Sequence, residues 1–123
     1  VMQEVSMLVI QAQSDLYEVR KMIHKIGFFI ENEKFCMDAG KPYLVMRAVR
    51  GEEKTPYEPA EYEYGRLLPE VSDTAYRKFL LDERDKKMKL QETLNMQKTS
   101  GAGARVEELT EEITGLNWIL NKF

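Results

Sequence analysis

Two side chains in this sequence are natural candidates for chemistry at neutral pH: its single histidine, His24, and its single cysteine, Cys36. A histidine can act as a base or metal ligand, and a cysteine as a nucleophile once its pKa is lowered. His24 follows Arg20 by one helical turn and lies beside Lys21 and Lys25, on the polar side of an amphipathic segment, so it reads as a surface residue. Cys36 stands between Phe35 and Met37 with no histidine nearby in sequence, and reads as a small apolar filler. One cysteine can form neither an internal disulfide nor a cysteine-based zinc site, and no His, Asp and Glu residues recur at ligand spacing. The "GAGA" run, Gly101 to Ala104, has the composition of a phosphate-binding loop. It joins two charged helical segments instead of following a strand, so it lacks the required context. The residues alone therefore encode no self-contained active site and no metal centre.

The elements that would position any site are easier to read. Met7 to Ile10 form an unbroken apolar run, the pattern of a strand buried on both faces in a parallel α/β sheet. Ser14 can cap the helix that follows, with Asp15 in its first turn, and Leu16, Val19, Ile23 and Ile26 recur at helical spacing up to a stop at Gly27. Phe28 to Ile30 lead into a strand, "DAGK" (Asp38 to Lys41) is a hairpin turn, and Tyr43 to Val49 return antiparallel. Residues 1–50 thus read β-α-β-β. Residues 51–71 hold Pro56, Pro59 and Pro69 together with Tyr57, Tyr62 and Tyr64, and predict an irregular connector whose tyrosines anchor it or form a contact patch. Residues 72–123 predict an antiparallel helical hairpin. Ser72 and Asp73 start a helix running to about Met96, Lys98 to Ala104 form the turn, and Val106, Leu109, Ile113, Leu116 and Leu120 make a coiled-coil-like seam.

A three-stranded unit with one helix leaves one sheet face bare. Two readings follow: a small α+β domain closed by its own later helices, or the C-terminal half of a doubly wound sheet. The first residue, Val1, is not methionine, which favours a chain cut from something longer. Charge decides little. The net charge is −3; residues 51–71 carry 2 basic and 6 acidic side chains, and residues 72–98 carry 7 and 5. No segment is basic enough to announce nucleic acid by itself. With no signal-peptide pattern and no apolar run near the roughly 20 residues a bilayer span requires, the expectation is a cytoplasmic protein without a membrane partner.

In their order and spacing these segments resemble the later part of the bacterial tRNA (adenine-22-N1)-methyltransferases, which depend on S-adenosylmethionine. That family has a strand of the type L-I-L-Q-P-N, a helix with a positive face, an aromatic-led strand, a D-G-K hairpin followed by an aromatic residue, and a closing V-A-E-x-G. The counterparts here are Leu8 to Gln13, Phe28, Asp38 to Tyr43 and Arg47 to Gly51, and "YGRLLPE" (Tyr64 to Glu70) is similar to the segment ahead of the family's helical hairpin. Gln11 matches the family pattern, whereas Ala12 and Gln13 replace its proline and asparagine. The resemblance implies the C-terminal portion of a Rossmann-like methyltransferase sheet followed by the hairpin. It also implies a cofactor site upstream of this chain, so that the chain alone is inactive and does not bind S-adenosylmethionine tightly. Gln11 and Gln13 would then face the catalytic cleft. Arg20, Lys21 and Lys25, with Arg77, Lys78, Arg84, Lys86 and Lys87, would be candidate phosphate contacts to tRNA, each also readable as a solvated charge. A truncated sheet would tend to self-associate or swap elements. Two rival readings are a non-enzymatic module that pairs its helical seam with a partner helix, and a self-contained ligand-binding α+β domain.

Overall fold

The computed structural model describes residues 5–71, 73–97 and 101–123. Strand β1 (Met7–Ala12) is followed by helix α1 (Leu16–Lys25), the hairpin β2 (Phe28–Asp38) and β3 (Lys41–Arg50), two short helices α2 (Pro59–Tyr64) and α3 (Leu67–Glu70), and the long helices α4 (Thr74–Gln97) and α5 (Ala102–Leu120). β3 lies between the other two strands, antiparallel to both, so the sheet order is β1-β3-β2. The hairpin turns through Ala39 and Gly40, both at positive φ (51° and 78°), the geometry that suits tight two-residue turns.

The expectation that β1 is buried on both faces is not met within this chain. Leu8 and Ile10 pack into the core, but Met7 and Val9 are 52% and 65% exposed. All the helices cover the same side of the sheet, where Leu44, Met46 and Ala48 of β3 meet Phe28, Ile30 and Phe35 of β2. The opposite side shows Met7, Val9 and Gln11, with Val45 and Val49 half-buried beside them. Its neighbour is antiparallel because β3 returns from the hairpin between β1 and β2, which also leaves β1 at an edge.

A bulge in β2 matters more than any other irregularity. Pairing passes from Ile30 opposite Ala48 directly to Asn32 opposite Arg47, which leaves Glu31 as the extra residue. Before the bulge the even-numbered Phe28 and Ile30 point inward; after it the odd-numbered Glu33 and Phe35 do. The slip therefore carries a carboxylate into the core.

Capping differs from the expected pattern at two places. Asp15, not Ser14, is the N-cap of α1, in the left-handed region at φ 55°, and Glu18 supplies the acid of the first turn. In α4 the Asp73 carboxylate accepts the Tyr76 N–H at 2.8 Å, while Ser72 lies outside the described residues. Where the connector reads as irregular, α2 forms behind Pro59 at its first turn, closed by a capping box between Glu58 and Glu61. α5 begins at Ala102, inside the expected turn, whose Lys98 to Ser100 lie outside the described residues. Its seam is spent internally. Leu109, Leu116 and Ile119 are fully buried, and α4 is tied to α5 by Gln91 with Thr110 (2.6 Å) and Arg84 with Asn117 (3.0 Å). That packing occupies much of the Val106–Leu120 seam within the chain.

Candidate functional site

Chemistry-bearing side chains gather in two places. The first is the seam between α1 and the connector. On α1, Leu16, Arg20 and Ile23 fall at helical spacing along the inward stripe, so Arg20 lies where an apolar residue is expected. It is 0% exposed. Its Nε donates to Glu33 Oε1 at 2.8 Å and its Nη1 to the Tyr62 carbonyl at 2.7 Å, which ties α1 to the bulged strand and to the connector at once. The backbone of Gly65 closes over the pair.

Tyr62 is the hub of this seam. Its ring meets Tyr17 at 5.5 Å and carries the Lys21 ammonium at 5.5 Å, and its hydroxyl is hydrogen-bonded to His24 Nδ1 at 2.8 Å. His24 is edge-on to Tyr57 at 4.7 Å, and its Nε2 is sealed from solvent. The expected surface histidine is thus a packing residue of the connector. Arg66 completes the clasp: it donates to Glu61 at 2.7 and 2.9 Å and to the carbonyls of Thr55 and Pro56, and stacks over Tyr57 at 4.2 Å. The connector's tyrosines therefore serve as anchors.

Burial holds the His24 pKa below its ordinary value of 6.5, with Glu53 opposing the shift and Arg66 adding to it. A base whose folded pKa is depressed contributes stability that is present above the unfolded value and is lost as pH falls through the folded one. Urea midpoints measured from about pH 7.5 down to 5 should therefore fall for the wild type, and the fall should be shallower for His24→Gln. Identical slopes in the two proteins would show that this imidazole is not linked to folding.

The second place is a cleft of about 180 Å3 at the carboxyl end of β1. Ala12 and Gln13 line one lip, and the aromatic rings of Phe35, Tyr76 and Phe79 form the floor. These rings lie 5.0 to 6.2 Å apart, with Tyr76 and Phe79 near parallel at 13°. The Tyr76 hydroxyl donates to the Tyr64 carbonyl at 2.8 Å, so α4 is fixed to the connector beside the cleft. Desolvation pushes the phenols of Tyr64 and Tyr76 up, which keeps both neutral. Of the two glutamines singled out in the sequence, Gln13 reaches this cleft. Gln11 does not: strand alternation places it on the bare face with Met7 and Val9.

The basic candidates separate by what surrounds them. Lys21, Lys25, Arg77 and Lys78 are exposed. Lys86 pairs with Glu83 (3.6 Å), Lys87 with Glu112 (3.5 Å), and Arg84 lies 4.0 Å from Asp85. Arg20 is corrected outright, because a guanidinium sealed in the core and bonded to Glu33 cannot meet a phosphate. Glu33 is the buried partner of Arg20 and Arg66 is the centre of the clasp, yet sequence reading passes over both. The only signal for Arg20 was its register with Leu16 and Ile23. Among the described residues no three His, Cys, Asp or Glu side chains gather where they could hold a metal ion, and no helix is long and apolar enough to cross a membrane.

Comparison with known proteins adds to this geometry. A family model described as tRNA (adenine(22)-N(1))-methyltransferase matches residues 1–117. No curated protein matches the chain. Among solved structures, an uncharacterized protein from Listeria monocytogenes serotype 4b superposes with a TM-score of 0.88 at 16% identity, over 97% of this chain and 53% of its own. A protein of the NADB-Rossmann superfamily from Streptococcus agalactiae gives 0.77 at 21%, over 97% and 49%. The M. capricolum TrmK structure, in complex with the cofactor product S-adenosyl-homocysteine, gives 0.76 at 16%, over 98% and 51%. At these identities the likeness shows the fold. The chain spans about half the length of each of these structures.

Proposed function

This chain belongs to the tRNA (adenine(22)-N(1))-methyltransferase family, and we propose that it acts as the C-terminal portion of such an enzyme, completing the catalytic sheet and helping to grip tRNA. The observation that carries this reading is the state of the sheet. All the helices lie on one face, while the other offers Met7, Val9, Val45 and Val49, and β1 leaves an open edge. An apolar face and an open strand edge are what the remaining half of a Rossmann-like sheet would cover. In this reading the apolar run Met7 to Ile10 does serve two buried faces, one of them formed only in the larger enzyme.

S-adenosylmethionine would bind the larger enzyme and supply the methyl group. Among the described residues none form a glycine-rich cradle for it. Gly101 caps a helix that follows a helix, and Gly103 lies inside α5, so neither belongs to a glycine-rich turn after a strand. The chain alone is accordingly inactive and binds the cofactor weakly, and its open edge favours self-association. The role left to these residues is to place groups at the strand end and to meet phosphates through Lys21, Lys25, Arg77 and Lys78.

Filter binding of tRNA by this chain tests the grip. Affinity should fall steeply between about 50 and 200 mM salt, and each lysine-to-alanine change at Lys21 or Lys25 should lower the log–log salt slope by about one without altering preference among RNA sequences. Salt-insensitive binding, or none, would remove the RNA grip from this half of the enzyme.

A further inference from the structure

Between α2 and α5 runs a groove that no residue of the sheet lines. Thr110, Thr114 and Trp118 recur every fourth residue along one face of α5, with Glu111 and Gly115 on the stripe beside them. Pro59 and Ala60 of α2 form the opposite wall. The groove has a volume of about 420 Å3, and beyond Glu58 and Trp118 it opens into a trough bordered by Pro56, Pro69 and Glu70.

Gly115 is the first sign of an occupant. Glycine weakens a helix interior relative to alanine. Here an added Cβ would meet only the Tyr64 ring, at an unstrained 3.8 Å. The chain's own packing therefore does not require glycine, whereas a second chain drawn close to the helix would.

Shape and charge narrow what that chain is. From Thr110 to Trp118 the helix rises about 12 Å, the length of about four extended residues. A volume of about 420 Å3 over that length leaves a channel about 6 Å across, too narrow for a helix of about 10 Å diameter. Neither wall carries a cation. Glu111 is exposed and forms no ion pair among the described residues, and Glu58 stands at the other lip. The two cations of the adjoining trough are engaged within the chain: Arg66 by Glu61 at 2.7 Å, and Lys122 by the Trp118 ring at 4.6 Å. The second contact shows what the indole accepts. Carboxylates at both lips repel a phosphate backbone, so this surface suits a protein and not an RNA.

We propose that the α2–α5 groove docks an extended, lysine- or arginine-bearing segment of a partner protein. The segment's backbone runs along Gly115, one of its cations stacks on Trp118 in exchange for Lys122, and another meets Glu111. Trp118 is the anchor, and the carboxylates set orientation and speed of encounter. The groove is lined by helical residues alone, none of them part of the face that the rest of the sheet would cover, and its assignment does not depend on the tRNA-grip reading.

Trp118 is the only tryptophan of the chain, so its emission reads the groove directly. Titration with a lysine–proline repeat peptide of about ten residues, held extended by its prolines, should shift that emission to saturation. A glutamate–proline repeat of the same length should leave it unchanged. Gly115→Leu, which puts a side chain on the groove floor, should abolish the response while keeping the urea midpoint at or above that of the wild type. Glu111→Gln should weaken the lysine–proline peptide about threefold. Lys122→Ala should strengthen it about threefold, because the internal competitor for the indole is gone. An equal response to spermine would show attraction by charge without a groove, and a saturable response retained in Gly115→Leu would place the site elsewhere; either result overturns the proposal. An emission shift on concentrating the chain alone, with a dimer in sedimentation, would make the occupant a second copy and overturn the partner assignment. The Gly115→Leu protein should still bind tRNA with the wild-type salt slope, so failure of the groove and failure of the RNA grip are read separately.

Discussion

Replacing Glu33 with alanine is expected to cost the fold about 3–5 kcal/mol, the range found when one partner of a buried ion pair is removed. The magnitude follows from what is left behind. Arg20 and Glu33 have no side-chain exposure, and their Nε–Oε1 distance is 2.8 Å. Without the carboxylate, the guanidinium remains in a core built of Ile23, Phe28, Ile30 and Met46, with only the Tyr62 carbonyl to receive it. A charge in such surroundings is far costlier than a missing methylene. A domain of this size has only about 5–15 kcal/mol of total stability, so the variant should sit near the edge of folding at 37 °C. The check is the urea midpoint, with the slope unchanged if the native state keeps its shape. The double change Arg20→Met with Glu33→Leu removes both charges and should recover most of the loss. If the double variant is as unstable as Glu33→Ala, the stranded charge is not the cause.

The same pair shows where sequence reading stops. The strands of the hairpin, its turn at Ala39 and Gly40, and the two long helices could all be read, because local period and turn chemistry decide them. Glu33 could not. In the sequence "FFIENEKFCMD" strict alternation from Phe28 and Ile30 would send Asn32 inward, and only the bulge at Glu31 reverses the parity. A bulge is fixed by pairing with β3, so no short-range pattern announces it. The connector fails to read for a related reason. Its prolines and tyrosines predict an irregular connector anchored by its aromatic rings, but not that Arg66 gathers Glu61, Thr55, Pro56 and Tyr57 into one clasp. His24 was misplaced with it, since a residue on the polar flank of a helix is partly covered once a connector lies across that flank. Half of the candidate cleft was legible: Gln13 through its place at a strand end, but not Glu63 or Glu83, which also line it. Glu63 and Glu83 come from elements that meet only in the folded chain.

Gly65→Ala should be the second large loss, about 2–4 kcal/mol, and its cause can be separated into two parts. Gly65 has φ 97° and ψ 151°, a conformation that side chains with a Cβ rarely adopt. A Cβ there would also stand 2.5 Å from Glu33 Oε2 and 3.0 Å from Arg20 Nη2. Neither atom can withdraw easily, because both belong to side chains fixed by their mutual bond. In a Glu33→Ala background the nearer obstruction is gone, so Gly65→Ala should then cost less, with a coupling of about 1 kcal/mol in the cycle. Strict additivity would mean that backbone strain alone sets the loss. The consequence for function is direct. Gly65 ends α2, which holds Glu63 and Tyr64 at the cleft, and Tyr64 is fixed there through its carbonyl by Tyr76. An alanine that lifts this turn off the ion pair moves Glu63 away from the aromatic floor.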